Sequence, residues 1–180
     1  MQGPALRGEY KMASKKRIYI ASPLGFSEAG RSFMYGRLIP LVESIGLEVI
    51  DPWKLTPQNM IDEIASMPDG PGRKTAWKKL NMIIGENNRK GIDASDGLFA
   101  VLDGTDVDSG TAAEIGYAFA LGKKVTAYRG DFRLSADNEG SRVNIQVEYF
   151  IFRSGGVISS TLDEAEREMK RLFISSSPLT

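Results

Sequence analysis

Two kinds of apolar pattern alternate along the chain. Short runs at Ile18-Tyr19-Ile20-Ala21, Leu47-Glu48-Val49-Ile50, Leu98-Phe99-Ala100-Val101-Leu102 and Val125-Thr126-Ala127-Tyr128, with a minimal Val157-Ile158, have the length and composition of buried strands. Between them the apolar positions fall at helical spacing. Met34, Leu38, Leu41, Val42 and Ile45 form one face of a helix that Ser27 caps and Gly46 stops. Pro57, Pro68, Gly70, Pro71 and Gly72 leave room for one short helix around Gln58 to Ser66. A longer helix follows through Trp77, Leu80, Ile84, Asn88 and Ile92, interrupted in pattern by Gly85 and Gly91.

The run Ala112 to Leu121 predicts a helix with Thr111 as its N-cap and Gly122 beyond its end. Asn144 caps a short helix through Ile145, Tyr149 and Phe152, and Leu162 to Phe173 is amphipathic. Residues 130–142, polar with two glycines, are expected to be a mobile loop. Residues 1–14 lack periodicity and are expected to be a disordered leader to a single domain over 15–175, with a fraying SSSPLT tail.

Strands alternating with helices predict an α/β fold: a five-stranded parallel sheet, doubly wound in the flavodoxin-like manner, with helices on both faces. In such a sheet the C-terminal ends of the first three strands lie side by side. That geometry is expected to gather Tyr19 to Phe26, Asp51 to Trp53 and Asp96 to Glu114 into one crevice.

Composition narrows what that crevice can do. Lys+Arg and Asp+Glu balance at 23 each, with no basic block, so neither nucleic acid nor a membrane surface is an expected partner. No apolar run is long enough to span a bilayer and the N-terminus has no secretory apolar core, so the expected location is cytoplasmic. The absence of cysteine removes thiol nucleophiles, disulfides and thiolate metal sites. The absence of histidine removes Ser-His and Cys-His catalysis and imidazole-bound zinc. An enzyme built from this chain works with carboxylates.

Each candidate has a plain structural alternative. Thr111-x-x-Glu114 reads as a capping box, in which Glu114 satisfies the helix terminus; the same placement suits an anionic nucleophile held ionised by the helix dipole. Asp108 is either a loop residue bonded to nearby amides or an acid/base. Asp103, Asp106 and Asp108 together offer a hypothetical Mg²⁺ site, ranked below the nucleophile because no phosphate-cradling glycine motif accompanies them. Asp96 is a helix end or an acid beneath the crevice. Tyr19 is core or catalytic, and Trp53 is a lid or a wall on which a flat ligand stacks.

The segment Asp108-Ser-Gly-Thr-Ala-Ala-Glu114-Ile-Gly-Tyr-Ala-Phe-Ala-Leu-Gly-Lys resembles the signature of the nucleoside 2-deoxyribosyltransferase family. Ile18-Tyr19-Ile20-Ala21-Ser-Pro is similar to that family's first strand and loop, Asp96 to its acid before strand three, and Asn144-Ile-Gln-Val to its late Asn motif. The resemblance runs from about Arg17 to about Ile158 and implies 2-deoxyribose transfer between nucleobases without cofactor or metal. By position it makes Glu114 the nucleophile, Tyr19 the hydroxyl that orients it, and Asp108 and Asp96 the binding and proton-transfer carboxylates. Asn144 corresponds to a residue lent by a neighbouring subunit of a homo-oligomer, with Gly25, Phe26 and Trp53 expected at the substrate. Unlike the family's best-known members, which place a terminal carboxylate in the site, this chain continues well past strand five.

Carboxylate chemistry accounts for such a transfer in its own terms. A carboxylate near C1′ stabilises and captures an oxocarbenium-like centre, and a second acid protonates the departing base. The expectation is a salvage enzyme acting on 2-deoxynucleosides and free nucleobases. One alternative is a hydrolase of 2-deoxynucleoside 5-monophosphates, for which Ser22, Ser109 or Arg31 would hold the phosphate. The other is a nucleotide-binding module without turnover.

Overall fold

The computed structural model describes residues 14–175; all but the last residue of the expected leader, and the tail beyond Ser175, lie outside them. Five parallel strands form one sheet in the order β2-β1-β3-β4-β5: β1 Arg17–Ala21, β2 Glu48–Ile50, β3 Gly97–Val101, β4 Lys124–Tyr128 and β5 Ile158–Ser159. This is the flavodoxin-like order expected from the alternation of elements. The winding direction reverses between β1 and β3, which pair with Tyr19 opposite Leu98.

The two-residue repeat of the strands divides the core. Tyr19, Ala21, Leu98, Ala100 and Leu102 face one way, against Ile92 of α4 (Pro71–Asp93), Ile115 and Ala118 of α5 (Ser109–Ala120), and Val147 and Ile151 of α6 (Ile145–Arg153). Ile18, Ile20, Phe99 and Val101 face the other. There they meet Met34, Leu38, Ile39 and Val42 from α1 (Glu28–Phe33) and α2 (Ile39–Ser44), and Ala165 and Met169 from α7 (Leu162–Met169). All five residues of β3 are buried, as a central parallel strand requires. The larger ones, Leu98, Phe99 and Val101, each contribute about 1.5–3 kcal/mol by leaving water.

The helix expected from Glu28 to Ile45 is one rod with a widened turn. Between α1 and α2 lies a π-helical stretch, Met34–Leu38, where the Ile39 N–H donates to the Met34 carbonyl. Pro40 explains it: proline has no N–H for the carbonyl one turn back, and the helix relaxes ahead of it. The short helix α3 (Gln58–Ala65) forms near its expected place.

One expectation needs correction. Helix α5 starts at Ser109 with Asp108, not Thr111, as N-cap; the Thr111 N–H donates to Asp108 Oδ2 at 2.9 Å. Residues 130–142 contain no helix or strand, as expected, and some of them bond to the strand ends. Arg129, 2% exposed, donates to the carbonyls of Leu102, Gly104 and Arg133, and the Asp131 N–H donates to Asp103 Oδ1. No helix of the described residues is long and apolar enough to cross a membrane.

Candidate active site

The crevice at the β1/β3 reversal is built by four segments. After β1, Ser22 caps a single 3-10 turn, Pro23–Phe26, its Oγ accepting the Leu24 N–H at 3.1 Å. After β2, Asp51 does the same for the turn Pro52–Lys54, its Oδ1 accepting the Trp53 N–H at 3.0 Å. These two turns present Phe26 and Trp53 edge to face, ring centroids 4.7 Å apart. Gly25 is what lets them meet: a Cβ there would lie 2.0 Å from Trp53 Cε2. The long helix α4 supplies Ile84 and Asn88, and the start of α5 supplies Asp108, Thr111 and Glu114. Together they line a cleft of about 290 Å³.

At its floor the Tyr19 hydroxyl donates to Glu114 Oε1 across 2.6 Å. Glu114 therefore is not the partner of a capping box. With the helix starting at Ser109 it stands in the second turn, where the dipole has faded, so the expected dipole stabilisation of its anion does not dominate. Burial pushes the Glu114 carboxyl up to about 7; the Tyr19 hydrogen bond pulls it down and the nearby Asp108 charge pushes it further up. Burial first, then the Glu114 charge, drives the Tyr19 phenol well above its ordinary value, so it stays a neutral donor.

The structure thus brings Tyr19, Phe26, Trp53, Asp108 and Glu114 together, with Gly25 supporting the aromatic wall. Two other expected residues lie elsewhere. Asp96 immediately precedes β3, at the opposite edge of the sheet from the cleft, and its carboxylate accepts the Arg17 backbone N–H at 2.7 Å. A parallel strand sends the residue before it and the residue after it to opposite edges, so Asp96 cannot share the crevice with Glu114. Asn144 caps α6, its Oδ1 accepting from Gln146 and Val147, and is not part of the cleft lining of its own chain.

The hypothetical Mg²⁺ site is corrected as well. Asp103, Asp106 and Asp108 each turn to a different backbone N–H, and no group of three or more carboxylates able to hold a metal occurs among the described residues. Arg31 donates to the Gly25 carbonyl at 2.9 Å and lines a separate hollow behind Trp53, shared with Tyr35, Gln58 and Ile61. No lysine or arginine lines the cleft among the described residues. Sequence reasoning passed over Asn88, which it placed in the apolar stripe of its helix; a polar residue inside that stripe was the available signal.

Comparison with known proteins places the chain in a family. A family model described as nucleoside 2-deoxyribosyltransferase matches residues 18–146, from β1 through the start of α6. The chain belongs to the nucleoside 2-deoxyribosyltransferase family. A conserved protein from Enterococcus faecalis V583 is similar at 25% identity and a TM-score of 0.60, over 88% of this chain and 99% of that one. A 2-desoxiribosyltransferase from Leishmania mexicana is 23% identical with a TM-score of 0.60, over 87% of this chain and 97% of its own. A 2-deoxyribosyltransferase from Bacillus psychrosaccharolyticus is 20% identical, TM-score 0.57, over 83% and 90%. These two transferases share the fold with this chain. No curated protein matches it in sequence. Membership of the nucleoside 2-deoxyribosyltransferase family gives the chain a general chemistry, glycosyl transfer or cleavage at an N-glycosidic bond.

Proposed function

We propose that the protein transfers 2-deoxyribose between nucleobases through a covalent glycosyl ester on Glu114. The observation that carries this reading is the 2.6 Å hydrogen bond from Tyr19 to Glu114 at the floor of an aromatic-walled cleft. The phenol occupies one carboxylate oxygen and leaves the other to attack C1′ of a bound 2-deoxynucleoside. The C1′–N bond breaks as the C1′–O ester forms, and the bond electrons leave with the base.

Asp108 is the second carboxyl group in the lining and, in its protonated form, the best placed to give the departing base its proton. A second base then takes the vacated position, loses a proton to Asp108 and displaces Glu114 from C1′, restoring the carboxylate. Two displacements give retention at C1′. Phe26 and Trp53 form the wall on which either base stacks. A 2-hydroxyl would withdraw electrons from the developing cation, which favours deoxy sugars.

The charge of the lining supports neutral nucleosides over 5-monophosphates. Asp108 and Glu114 are its only charged groups among the described residues, and the Asp108 carboxylate already occupies the α5 N-terminus. A phosphate dianion would meet repulsion there without a cation to offset it. Asn144 enters the reading as a residue lent to a neighbour in a homo-oligomer; half-exposed Ile145, Tyr149 and Phe152 around it suit an interface. Incubating 2-deoxyadenosine or thymidine with and without a second free base, with products separated by chromatography, tests the reading. A new nucleoside appearing only with the acceptor supports it; free base released at one rate in both contradicts it.

A further inference from the structure

Trp53 borders two spaces. One is the cleft; the other is the hollow behind it, about 440 Å³, larger than the cleft and within the size range of small-molecule sites. Gly25 borders the hollow from the turn after β1, Arg31 and Tyr35 from the rod that begins with α1, and Gln58 and Ile61 from α3.

The two spaces have opposite charge. Among the described residues Asp108 and Glu114 are the only charged groups lining the cleft, and Arg31 is the only one lining the hollow. One Arg31 guanidinium N–H donates to the Gly25 carbonyl at 2.9 Å, a neutral acceptor, and Arg31 makes no ion pair among the described residues. Most of its donors are therefore still to be used.

The acids nearby are already engaged. Asp51 accepts the Tyr35 hydroxyl at 3.0 Å and the Trp53 N–H at 3.0 Å, and Lys54 Nζ lies 3.7 Å from its carboxylate. Lys54 offsets that charge while standing 4.9 Å from the centroid of the Tyr35 ring. Asp62 is exposed, lies outside the lining and accepts from Gln58 Nε2 at 2.9 Å. Arg31 is left as surplus positive charge in a hollow with two aromatic walls. A guanidinium with open donors takes an oxyanion through paired hydrogen bonds, and an indole offers a flat ring a surface to stack on.

We propose that this hollow is a second ligand site, distinct from the cleft, for a small anion that carries a flat heterocyclic ring: the phosphate on Arg31, the ring against Trp53. The 5-monophosphate of a 2-deoxynucleoside has that make-up, and it is the form of nucleoside that the acidic cleft repels. Bound there, it braces Trp53, which is 37% exposed, and so pre-orders the wall on which a nucleoside stacks in the cleft. The two ligands favour each other's binding by the same factor in both directions. The site needs no turnover and stands apart from the transfer reading.

Calorimetry on the Glu114→Gln protein, which binds nucleosides without consuming them, tests the site. The cleft is first saturated with thymidine, and thymidine 5-monophosphate or 2-deoxyribose 5-phosphate is then titrated in. The nucleotide still binds, about 5- to 100-fold tighter than the sugar phosphate, the worth of one stacked base. Arg31→Met, which keeps the stem and removes the charge, weakens the nucleotide about 10- to 100-fold. Ile61→Trp fills the hollow from α3 and removes nucleotide binding with Arg31 still in place. Thymidine itself binds about 5-fold tighter or more when the nucleotide is present.

Nucleotide binding that thymidine abolishes would put the phosphate in the cleft and overturn the proposal. So would an affinity that neither substitution changes, or a sugar phosphate that binds as tightly as the nucleotide. Should the nucleotide bind as described while wild-type protein moves no 2-deoxyribose between bases, the second site stands and the transfer reading falls. Transfer without any nucleotide bound behind Trp53 gives the reverse.

Discussion

The hydroxyl of Tyr19 in β1 and the carboxylate of Glu114 in the second turn of α5 are 2.6 Å apart, although 95 positions separate them in the chain. The bond acts in two directions on Glu114. It favours the anion, which burial opposes, and burial is the larger effect. The outcome is a carboxyl near 7, poised between its two forms at neutral pH.

That balance predicts the pH profile. Only the anion attacks C1′, so kcat/KM for a 2-deoxynucleoside rises with pH through about 7. In Tyr19→Phe the pull of the hydrogen bond is gone, and the inflexion moves upward. At pH 7 that variant is slower by about 10- to 100-fold, the worth of a hydrogen bond to a charged group. An inflexion unmoved by Tyr19→Phe would detach the phenol from the nucleophile.

The same shift has a consequence for stability, opposite in sign to that of a salt-bridged acid. Glu114 is raised from 4.5 to about 7, so between those values the folded protein holds a proton that the unfolded chain has released. Its contribution is complete below 4.5 and is lost as pH rises through 7. Glu114→Gln cannot ionise and still accepts from Tyr19. Urea unfolding should find it more stable than wild type by about 1–3 kcal/mol at pH 8, with the gap closing at pH 4.5. A gap that widened towards low pH would contradict the assignment.

Asp108→Asn should keep the helix and lose the acid. Asn caps about as well as Asp, so the melting temperature hardly moves. Turnover slows most for bases that need a proton to leave, and nucleosides with an activated leaving group are spared. Equal slowing of both kinds, in parallel kinetic runs, would make Asp108 a binding residue.

Gly25→Ala drives a methyl group into the Trp53 indole, which must swing out. KM rises about 10-fold or more as the stacking wall opens, while the pH inflexion set by Glu114 stays put. Trp53 emission shifts to longer wavelength in step. A raised KM without any change in fluorescence would place the substrate elsewhere.

Asn144 is tested by mixing. Glu114→Ala and Asn144→Ala proteins, each inactive alone, are refolded together, and activity is followed in oligomers confirmed by native mass spectrometry. A site completed across subunits regains part of its activity, because some interfaces then carry neither defect. Mixed oligomers that stay inactive would sink the shared site.

The fold could be read from the chain because strands and helices announce themselves locally. Runs such as Leu98 to Leu102 are too short and too apolar for anything but a buried strand, and alternation of element type forces the parallel sheet. The start of α5 was misread because Asp108, Ser109 and Thr111 are all capping residues, and spacing alone does not choose between them. That error of three positions moved Glu114 from the first turn to the second, and burial rather than the helix end sets its charge. Asp96 was misplaced for a different reason: it is close to the site along the chain but lies before its strand rather than after it. Asn88 lay in plain view within an apolar stripe, yet only packing shows that its carbonyl has no partner among the described residues.

The central claim, a glycosyl ester on Glu114, is tested most directly by mass spectrometry of enzyme quenched in acid during turnover of a 2-deoxynucleoside. The account predicts a fraction of the protein heavier by one 2-deoxyribosyl group, with the added mass on the peptide that contains Glu114 and absent from Glu114→Gln. Added mass on any other residue, or full turnover by Glu114→Ala with no adduct at any time, would contradict it.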